Sequence, residues 1–493
     1  MATTTAPSGS ARSATEPGRL FIAGQWRDAQ GGARMDVIAP ATGEKLTDVA
    51  RATTADVDAA VAAARAAFDS GEWSGLTARE RGRILRNAHD LMRERTEELA
   101  QAESQDVGKP IALARAVDVN NAAETFEYFA TSGQQLDGAL RETPGNTHAY
   151  VRREPVGVVA AITPFNFPLI LSSSKIAPAL IAGNTIVHKP SSDTPLSALL
   201  MAEILRDAGV PDGVYNVVTG SGGDLGDHLV SHPGVNKVAF TGSTEVGAHV
   251  AELAGKHLRP VTAELGGNAA NILFADANLD QAIGAIIQAF VFNTGQFCMA
   301  GPRLLVERAL YDQVLAILAD AVAGVPMGDI TDPDTVIGPL ASSAQREKVS
   351  QLVDASVAAG GRVVTGGAAA VGPGFYYQPT VVADVANDNP AVVNEVFGPV
   401  LTVQPFDSEE EAVALANSVP QGLAAGIQTT NLGRAHRVAA QLEAGIVWVN
   451  GWALMDPSMP FGGVKVSGWG RENGPEGLAA YLRAKSVVIN LDE

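Results

Sequence analysis

The chain has 493 residues, of which 35 are Lys or Arg and 54 are Asp or Glu, giving a formal net charge of −19. This length suggests two or three lobes, and 46% hydrophobic against 18% charged residues is the composition of a globular protein. The acidic balance argues against nucleic acid or an anionic membrane as the main partner, because phosphate recognition needs surplus Lys and Arg. The single cysteine, Cys298, excludes an internal disulfide and a cysteine-based metal centre. It favours a reducing, cytoplasmic location.

Residues 1–19 are rich in Ala, Thr, Ser, Pro and Gly and contain no apolar segment. This composition predicts a disordered tail rather than a signal peptide. No stretch reaches the roughly 18–20 unbroken apolar residues of a membrane-spanning helix. We therefore expect no membrane partner.

Short strands are predicted at Leu20–Trp26 and Arg34–Ile38, after the tail. Apolar residues at helical spacing then indicate two amphipathic helices, one from Val57 to Phe68 and one from Ile84 to Met92.

From about residue 156, apolar runs of four to eight residues alternate with helical segments, a pattern typical of βαβ units on a parallel sheet. The runs that predict strands fall in two series: Val156–Ile162, Thr185–His188, Val214–Val218, Lys237–Phe240 and Val261–Glu264, then Asn271–Phe274, Arg303–Val306, Val400–Pro405 and Ile446–Val449. The fold class is therefore α/β, with two parallel-sheet lobes.

Two segments carry residues suited to a phosphorylated ligand. In Phe240–Gly247 a strand leads into a helix, whose free N–H groups and dipole favour a pyrophosphate. The Gly and Ser residues there could equally be ordinary turn and capping residues. In His188–Ser192 a lysine follows a strand and could meet ribose hydroxyls or a phosphate.

Three further segments carry candidate reactive side chains. Cys298, in Gly295–Ala300, is either a nucleophile or a small buried hydrophobe. Glu264 ends a strand beside two glycines and is either a general base with a shifted pKa or a solvated loop acid. Asn166, between aromatic residues and prolines, could donate to a developing oxyanion or simply cap its own turn. Two more glycine-containing motifs are Glu395–Pro399 and Pro460–Lys465.

Each segment is ambiguous alone, but the seven together resemble the aldehyde dehydrogenase superfamily, from about Leu20 to Asn490 and in the family's order. Glu264 precedes Cys298 by 34 residues, a spacing similar to the family's. The resemblance implies that Cys298 attacks the aldehyde and that Asn166 holds the oxyanion of the thiohemiacetal. Hydride transfer to a nicotinamide would leave a thioester, which water activated by Glu264 would hydrolyse. Lys175 and Glu472 occupy positions similar to the family's proton relay.

The resemblance also implies a nicotinamide dinucleotide site. Lys189 matches the adenine-side ribose contact, Ser243 the pyrophosphate contact and Glu395 the nicotinamide ribose contact. The full predicted set is Thr163, Pro164, Phe165, Lys189, Ser192, Gly242, Ser243, Gly247, Leu265, Glu395 and Phe397. Strongly NAD-selective members carry a Glu where this chain has Ser192, so nothing there repels a 2′-phosphate, and either NAD or NADP is expected.

Aromatic residues dominate the positions that form the family's substrate pocket, which favours an apolar or aromatic, benzaldehyde-like substrate. These residues are Phe165, Phe167, Phe292, Phe297, Trp452 and Phe461. Several of them could instead be core residues. Ser174 stands where some relatives carry a bulky aromatic side chain, which would widen the tunnel. No metal site is predicted, although some relatives hold a monovalent cation near the position of Asp106.

The family's organisation implies a Rossmann-like cofactor domain, a catalytic domain and a small β arm for oligomerisation. The corresponding ranges are 20–136 with 156–264, then 265–455, and 137–155 with 480–493. The arm predicts a homodimer or homotetramer, since an apolar terminal strand would otherwise be exposed.

Three alternatives remain open. A coenzyme A-acylating relative is disfavoured because that branch typically lacks the water-activating Glu. A semialdehyde-specific relative is not supported by an obvious pair of arginines. A non-catalytic binding protein would usually have lost the nucleophile, whereas Cys298, Glu264 and Asn166 are all present.

Overall fold

The structure is a computed structural model that describes residues 18–134 and 136–492. Most of the predicted disordered tail, residues 1–17, lies outside the described residues. Gly18, at the end of that predicted tail, pairs with Val49 in an isolated parallel bridge. Its N–H also donates to the carbonyl of Asp48 at 2.8 Å.

Twenty-two strands run through the described residues. They are β1 Leu20–Ile22, β2 Gln25–Arg27, β3 Arg34–Ala39, β4 Glu44–Ala50, β5 Ala139–Arg141, β6 Thr147–Pro155, β7 Val158–Ile162, β8 Thr185–Lys189, β9 Tyr215–Val217, β10 Lys237–Thr241, β11 Val261–Glu264, β12 Ala270–Leu273, β13 Arg303–Glu307, β14 Arg362–Thr365, β15 Thr380–Ala383, β16 Val400–Phe406, β17 Gln421–Gly422, β18 Ala424–Gln428, β19 Ile446–Val449, β20 Val464–Lys465, β21 Gly468–Trp469 and β22 Leu482–Asn490.

Sixteen α-helices accompany them in the described part of the chain. They are α1 Thr54–Ser70, α2 Ala78–Glu94, α3 Thr96–Val107, α4 Ile111–Leu113, α5 Asn120–Ser132, α6 Pro168–Ile181, α7 Leu196–Ala208, α8 Gly223–Ser231, α9 Thr244–Lys256, α10 Leu279–Val291, α11 Tyr311–Ala323, α12 Ser343–Ala358, α13 Pro390–Val393, α14 Glu409–Asn417, α15 Leu432–Gln441 and α16 Gly474–Ala479. Across residues 18–134 and 136–492, no helix is both long and apolar enough to cross a membrane.

The first sheet has eight strands in the order β2-β1-β9-β8-β7-β10-β11-β21. Its five central strands, β9-β8-β7-β10-β11, are parallel, and antiparallel strands form both edges. The runs of β7, β8 and β10 are buried except for the partly exposed Ile162 at the end of β7. Such runs explain the parallel core, because helices cover both faces of a parallel sheet.

The second sheet has seven strands in the order β14-β15-β16-β13-β12-β18-β19. Only the β14–β15 pair is antiparallel. A separate three-stranded sheet, β22-β6-β5, is antiparallel, with β22 paired to β6 from Leu482 to Asn490. The predicted α/β fold with two parallel-sheet lobes and a small β arm is confirmed.

Two of the differences from the sequence-based expectation lie near the N-terminus. The predicted strand Leu20–Trp26 is a hairpin of β1 and β2, because Ala23 and Gly24 adopt positive φ angles of 53° and 75° and reverse the chain. Strand β4 was not predicted. It pairs with β3 through a register shift between Val37 and Ile38, which an unbroken alternation of polar and apolar residues does not signal.

Candidate active site

The site lies where the carboxyl ends of strands in the first sheet meet the amino ends of strands in the second. Asn166 follows β7, Gly242 follows β10, and Glu264 is the last residue of β11. Cys298 precedes β13 by five residues, and Phe397 precedes β16 by three. Parallel strands place successive ends at one sheet edge, which explains how segments distant in the chain converge here.

The backbone before Cys298 follows an unusual path. Asn293, Thr294 and Gly295 have positive φ angles of 50°, 56° and 70°. A Cβ added at Gly295 would lie 2.1 Å from the carbonyl oxygen of Gly398, so only glycine fits there. Consecutive left-handed residues are strained, and strain of this kind clusters at functional sites.

Asn166 is tied into this loop by side-chain hydrogen bonds. Its Nδ2 donates to the carbonyl of Gln296 at 3.0 Å. Asn293 Nδ2 donates in turn to the carbonyls of Asn166 and Gln296, at 2.9 and 3.1 Å. Because a side-chain amide carries two N–H groups, Asn166 keeps a second donor for another acceptor.

Cys298 lies at the junction of two cavities. One cavity is a cleft beside β10 and the start of α9, and the other is a tunnel lined mainly by apolar side chains. Cys298 lines both. Burial and the nearby carboxylates of Glu395 and Glu264 raise the pKa of its thiol to about 12, so the free protein holds it as a neutral thiol.

Glu264 is buried without a hydrogen-bond partner for either carboxylate oxygen among the described residues. A Cβ added at Gly462 would lie 2.7 Å from its Oε1, so glycine leaves room for the carboxyl group. Burial and the charge of Glu472 raise the pKa of Glu264 well above its usual value. The raised pKa makes this carboxylate a stronger base than an ordinary glutamate and suits it to proton transfer.

Lys175 and Glu472 form a buried ion pair next to Glu264. Lys175 Nζ donates to Glu472 Oε1 and to Thr241 Oγ1, each at 2.5 Å. Ser174 Oγ lies 2.7 Å from the other carboxylate oxygen, Oε2. The predicted relay residues are thus in direct contact, and Ser174 joins them.

The cleft gathers most of the predicted cofactor residues. Those that line it are Pro164, Phe165, Gly242, Ser243, Leu265, Glu395 and Phe397. The remaining four lie beyond its lining: Thr163 bonds His188 Nε2 at 2.9 Å, Gly247 packs against Leu265, Lys189 is the last residue of β8, and Ser192 follows that strand. Gln345 and Lys348 of α12 also line the cleft, but no sequence motif indicates them.

Ser243 caps helix α9, accepting a hydrogen bond from the N–H of Val246 at 3.3 Å. The first turn of a helix has further N–H groups without intrahelical acceptors, and this turn borders the cleft. Across the cleft, Glu395 Oε1 accepts from the N–H of Gly267 at 3.1 Å. Burial raises the pKa of Glu395 to about 7. The cleft therefore combines a positive helix end with a carboxyl group able to accept hydroxyl hydrogen bonds.

The tunnel is lined by four of the six predicted substrate residues, Phe167, Phe292, Phe297 and Phe461. The rings of Phe167 and Phe292 stack with centroids 6.0 Å apart, and the Phe297 ring lies 5.5 Å from Phe167. Phe165 instead lines the cofactor cleft. Trp452 is buried behind the tunnel, where its indole N–H donates to the carbonyl of Met299 at 3.0 Å.

Other tunnel residues escape sequence reasoning because they come from helices with no chemical motif. Val117 and Asn121 lie at the junction of a π-helical turn and α5, and Ile170 and Leu171 lie on α6. Only their position on the wall of a cavity distinguishes them, and the sequence does not show which helical residues face a cavity.

Comparison with known proteins agrees with this geometry. Residues 26–487 match the family model described as "Aldehyde dehydrogenase family". A putative aldehyde dehydrogenase from Burkholderia cenocepacia is 44% identical, with 96% of this chain and 98% of that chain covered and a TM-score of 0.94. The NAD+ complex of an aldehyde dehydrogenase from Bacillus cereus is 41% identical, with 97% of each chain covered and a TM-score of 0.95. An NAD-dependent aldehyde dehydrogenase from Sinorhizobium meliloti is 40% identical, with 97% of this chain and 96% of that chain covered and a TM-score of 0.96.

The match spans both sheets and the site between them, and the prediction made from the seven motifs is confirmed at the level of the family. The chain belongs to the aldehyde dehydrogenase family.

Proposed function

We propose that this protein oxidises an aldehyde to a carboxylic acid with NAD or NADP, with Cys298 as the nucleophile. The observation that carries the proposal is the position of Cys298, which lines both the polar cleft and the apolar tunnel. A thiol at that junction can meet an aldehyde entering from one side and a cofactor held on the other.

Activation of the thiol requires a base. With a pKa of about 12, the Cys298 thiol must lose its proton as it attacks the carbonyl carbon. The carboxylate of Glu264 is near enough to influence that pKa, and its own pKa is raised. Glu264 is therefore one acceptor for the thiol proton and solvent water is another, so thiol attack does not depend on Glu264 alone.

The attack places negative charge on the former aldehyde oxygen. The second N–H of the Asn166 amide and the main-chain N–H of Cys298 are the donors that would stabilise this charge. The hydrogen bond from Asn166 to Gln296 fixes the amide before the substrate arrives, so little reorganisation is needed.

A dinucleotide fits the cleft. A Cβ at Gly266 would lie 2.2 Å from Glu395 Oε2, so glycine makes room for the carboxyl group that we propose to bind a ribose. Ser243 and the start of α9 would hold the pyrophosphate. The nicotinamide, when bound, accepts a hydride. The Bacillus cereus relative is described as an NAD+ complex. In this chain Ser192 carries no negative charge that would repel a 2′-phosphate, so NADP is proposed as well.

Hydrolysis of the thioester would complete the reaction. Glu264 would take a proton from the attacking water, and Glu472, held in place by Lys175, would accept that proton in turn. This role of Glu264 favours hydrolysis over acyl transfer to coenzyme A.

The tunnel supports an apolar or aromatic aldehyde as substrate. Its three contacting phenylalanine rings, Phe167, Phe292 and Phe297, provide flat apolar surface next to Cys298. Among the described residues that line it, the charged side chains are Asp456 and Glu472, with no Lys or Arg. An aldehyde that carries a carboxylate would therefore be repelled, which disfavours the semialdehyde alternative.

We also propose that the sheet β22-β6-β5 mediates a homodimer or homotetramer. Val488, Ile489 and Leu491 on β22 and just after it are exposed, with Val488 at 61%. An exposed apolar strand is expected to be covered by another chain.

The decisive test is Cys298→Ala, assayed with benzaldehyde and with NAD and NADP in the absence of coenzyme A. We expect loss of acid formation with cofactor binding retained, measured by fluorescence titration. Appreciable turnover by Cys298→Ala, or a strict requirement of the wild type for coenzyme A, would overturn the proposal.

A further inference from the structure

Ser174 occupies a position between the buried ion pair and the tunnel. It precedes Lys175 on α6, and both side chains are buried. Its hydroxyl oxygen lies 2.7 Å from Glu472 Oε2 and 3.1 Å from the carbonyl oxygen of Leu171. Ser174 and Glu472 both line the tunnel, whereas Lys175 does not.

A serine hydroxyl has one proton, so it cannot donate to both neighbours at once. When Glu472 is ionised, Ser174 donates to Oε2. When Oε2 carries a proton, the carboxyl group donates to Ser174 Oγ, and the serine proton turns to the carbonyl of Leu171. Both protonation states of Glu472 are therefore satisfied without movement of heavy atoms.

The two carboxylate oxygens of Glu472 face different partners, and only one of these partners can accept a proton. Oε1 faces the ammonium group of Lys175, which has no lone pair to accept a proton. Oε2 faces a hydroxyl that can accept one proton and release another. Among the described residues, Ser174 is the neutral side chain that hydrogen-bonds Glu472 and borders the tunnel.

We propose that Ser174 passes protons from Glu472 to water in the substrate tunnel, so that the tunnel is the exit path for protons released in the reaction. In this step the O–H bond at Glu472 Oε2 breaks as a new O–H bond forms on Ser174 Oγ. The original Ser174 proton turns from the carbonyl of Leu171 to a water molecule in the tunnel and is transferred to it, and Glu472 is left ionised. Ser174 thus acts through Glu472, and the inference rests on the proposed function.

Several titratable groups influence the same carboxylate. The charge of Glu472 acts on groups from four neighbouring elements, which are Lys175 on α6, Glu264 on β11, Lys237 on β10 and Tyr481 before β22. Arg471 precedes Glu472 in the chain and acts on Glu264. Of the residues in this set, only Glu472 bonds a hydroxyl that lines the tunnel.

The test compares Ser174→Thr with Ser174→Val, an isosteric pair that differs in the hydroxyl group, together with Ser174→Ala. Ser173→Ala is the matched control, because Ser173 is buried on the same helix and its hydroxyl donates to the carbonyl of Leu169 at 2.8 Å. Each variant is mixed with benzaldehyde and cofactor, and the burst of reduced cofactor, the later steady rate and proton release to a pH indicator are followed.

We expect the burst to persist in all four variants. The steady rate and the proton release should fall about tenfold in Ser174→Ala and Ser174→Val and remain near the wild-type value in Ser174→Thr and Ser173→Ala. Added imidazole, a small base able to enter the tunnel, should raise the rate of the Ala and Val variants saturably. A purely structural role of Ser174 would not respond to imidazole.

Equal rates for Ser174→Val and Ser174→Thr, or no imidazole rescue, would overturn the role of Ser174 while the burst still supported the proposed function. A wild type that forms no reduced cofactor from benzaldehyde would instead overturn the proposed function. If Ser174→Ala does not fold, the comparison of Ser174→Thr with Ser174→Val still tests the role of Ser174.

Discussion

The side-chain amide of Asn166 donates a hydrogen bond of 3.0 Å to the main-chain carbonyl of Gln296, two residues before Cys298. This bond joins the loop after β7 in one sheet to the loop before β13 in the other. It fixes the orientation of the amide relative to the nucleophile, and thereby the direction of the amide's second N–H.

Asn166→Asp should remove the oxyanion donor with almost no change in side-chain volume. We expect kcat/KM to fall by about 10²–10³, the range for loss of one oxyanion-hole donor. The measurement is steady-state kinetics with benzaldehyde, accompanied by cofactor titration. Unchanged kcat/KM would exclude Asn166 from the oxyanion site, and weaker cofactor binding alone would point to a different role.

Glu264→Gln should separate the two halves of the reaction. The amide cannot activate water, so a burst of reduced cofactor of about one equivalent per site should precede a slow steady state. Stopped-flow absorbance at the reduced nicotinamide band measures the burst. If no burst appears and only KM changes, Glu264 is not the base for deacylation.

Alkylation of Cys298 by iodoacetamide should report its raised pKa. Because the thiolate reacts and the pKa is about 12, the rate in the absence of cofactor should rise about tenfold per pH unit between pH 7 and 10. Glu395, with a pKa of about 7, is mostly ionised above neutral pH and opposes thiolate formation.

Glu395→Gln removes that charge, lowers the pKa of Cys298 and should accelerate alkylation at pH 8 by about threefold or more. Cys298→Ala is the control that shows no labelling, since the chain has no other cysteine. A rate that is flat with pH would contradict the raised pKa.

The sequence predicts the parallel core of the fold because each central strand is a continuous apolar run. Lys237–Phe240, for example, becomes β10 with one added residue, Thr241. Two-residue strands such as β21 have no such signal. Gly468 and Trp469 become a strand only because they pair with Glu264 and Ala263, which is a tertiary effect.

The site is predictable only where a residue type is chemically unusual for its position. Glu264 stands out as an acidic residue at the end of a strand, and Asn166 stands out as a polar residue between Phe165 and Phe167. Lys348 of α12 lines the cleft but resembles any other exposed helical lysine in the sequence. For Trp452 the sequence does not reveal on which side of its loop the ring lies, and the structure buries it behind the tunnel.

Gly267→Ala should distort the site by displacing the main chain of Cys298. A Cβ there would lie 2.0 Å from the carbonyl oxygen of Cys298, a main-chain atom that cannot rotate away. We expect a destabilisation of about 1–3 kcal/mol and a fall in kcat. Gly284→Ala is the control, because that exposed position on α10 has open space around it and should gain about 0.5–1 kcal/mol. Thermal melting and kcat of both variants test the contrast, and equal effects would contradict it.

Ser192→Glu should shift cofactor use away from NADP. Lys189 is 4% exposed, and its Nζ donates to the carbonyl of Pro190 at 3.1 Å. A 2′-phosphate could pair with this ammonium group, whereas a carboxylate at position 192 would repel the phosphate. We expect kcat/KM for NADP to fall about tenfold or more relative to that for NAD. Ser192→Gln, which adds similar volume without charge, should change the ratio much less, and equal shifts in both variants would exclude a charge effect.

The KM for NADP should also depend on pH, and the pKa of Lys189 sets the direction of the change. Burial lowers the pKa of Lys189 to about 8, so its positive charge is present below pH 8 and is lost as the pH rises further. Between pH 7 and 9.5 the KM for NADP should therefore increase more than the KM for NAD, which lacks the 2′-phosphate. Lys189→Met, uncharged throughout, should remove this difference between the two cofactors. Parallel pH profiles for NAD and NADP in the wild type would place the 2′-phosphate away from Lys189.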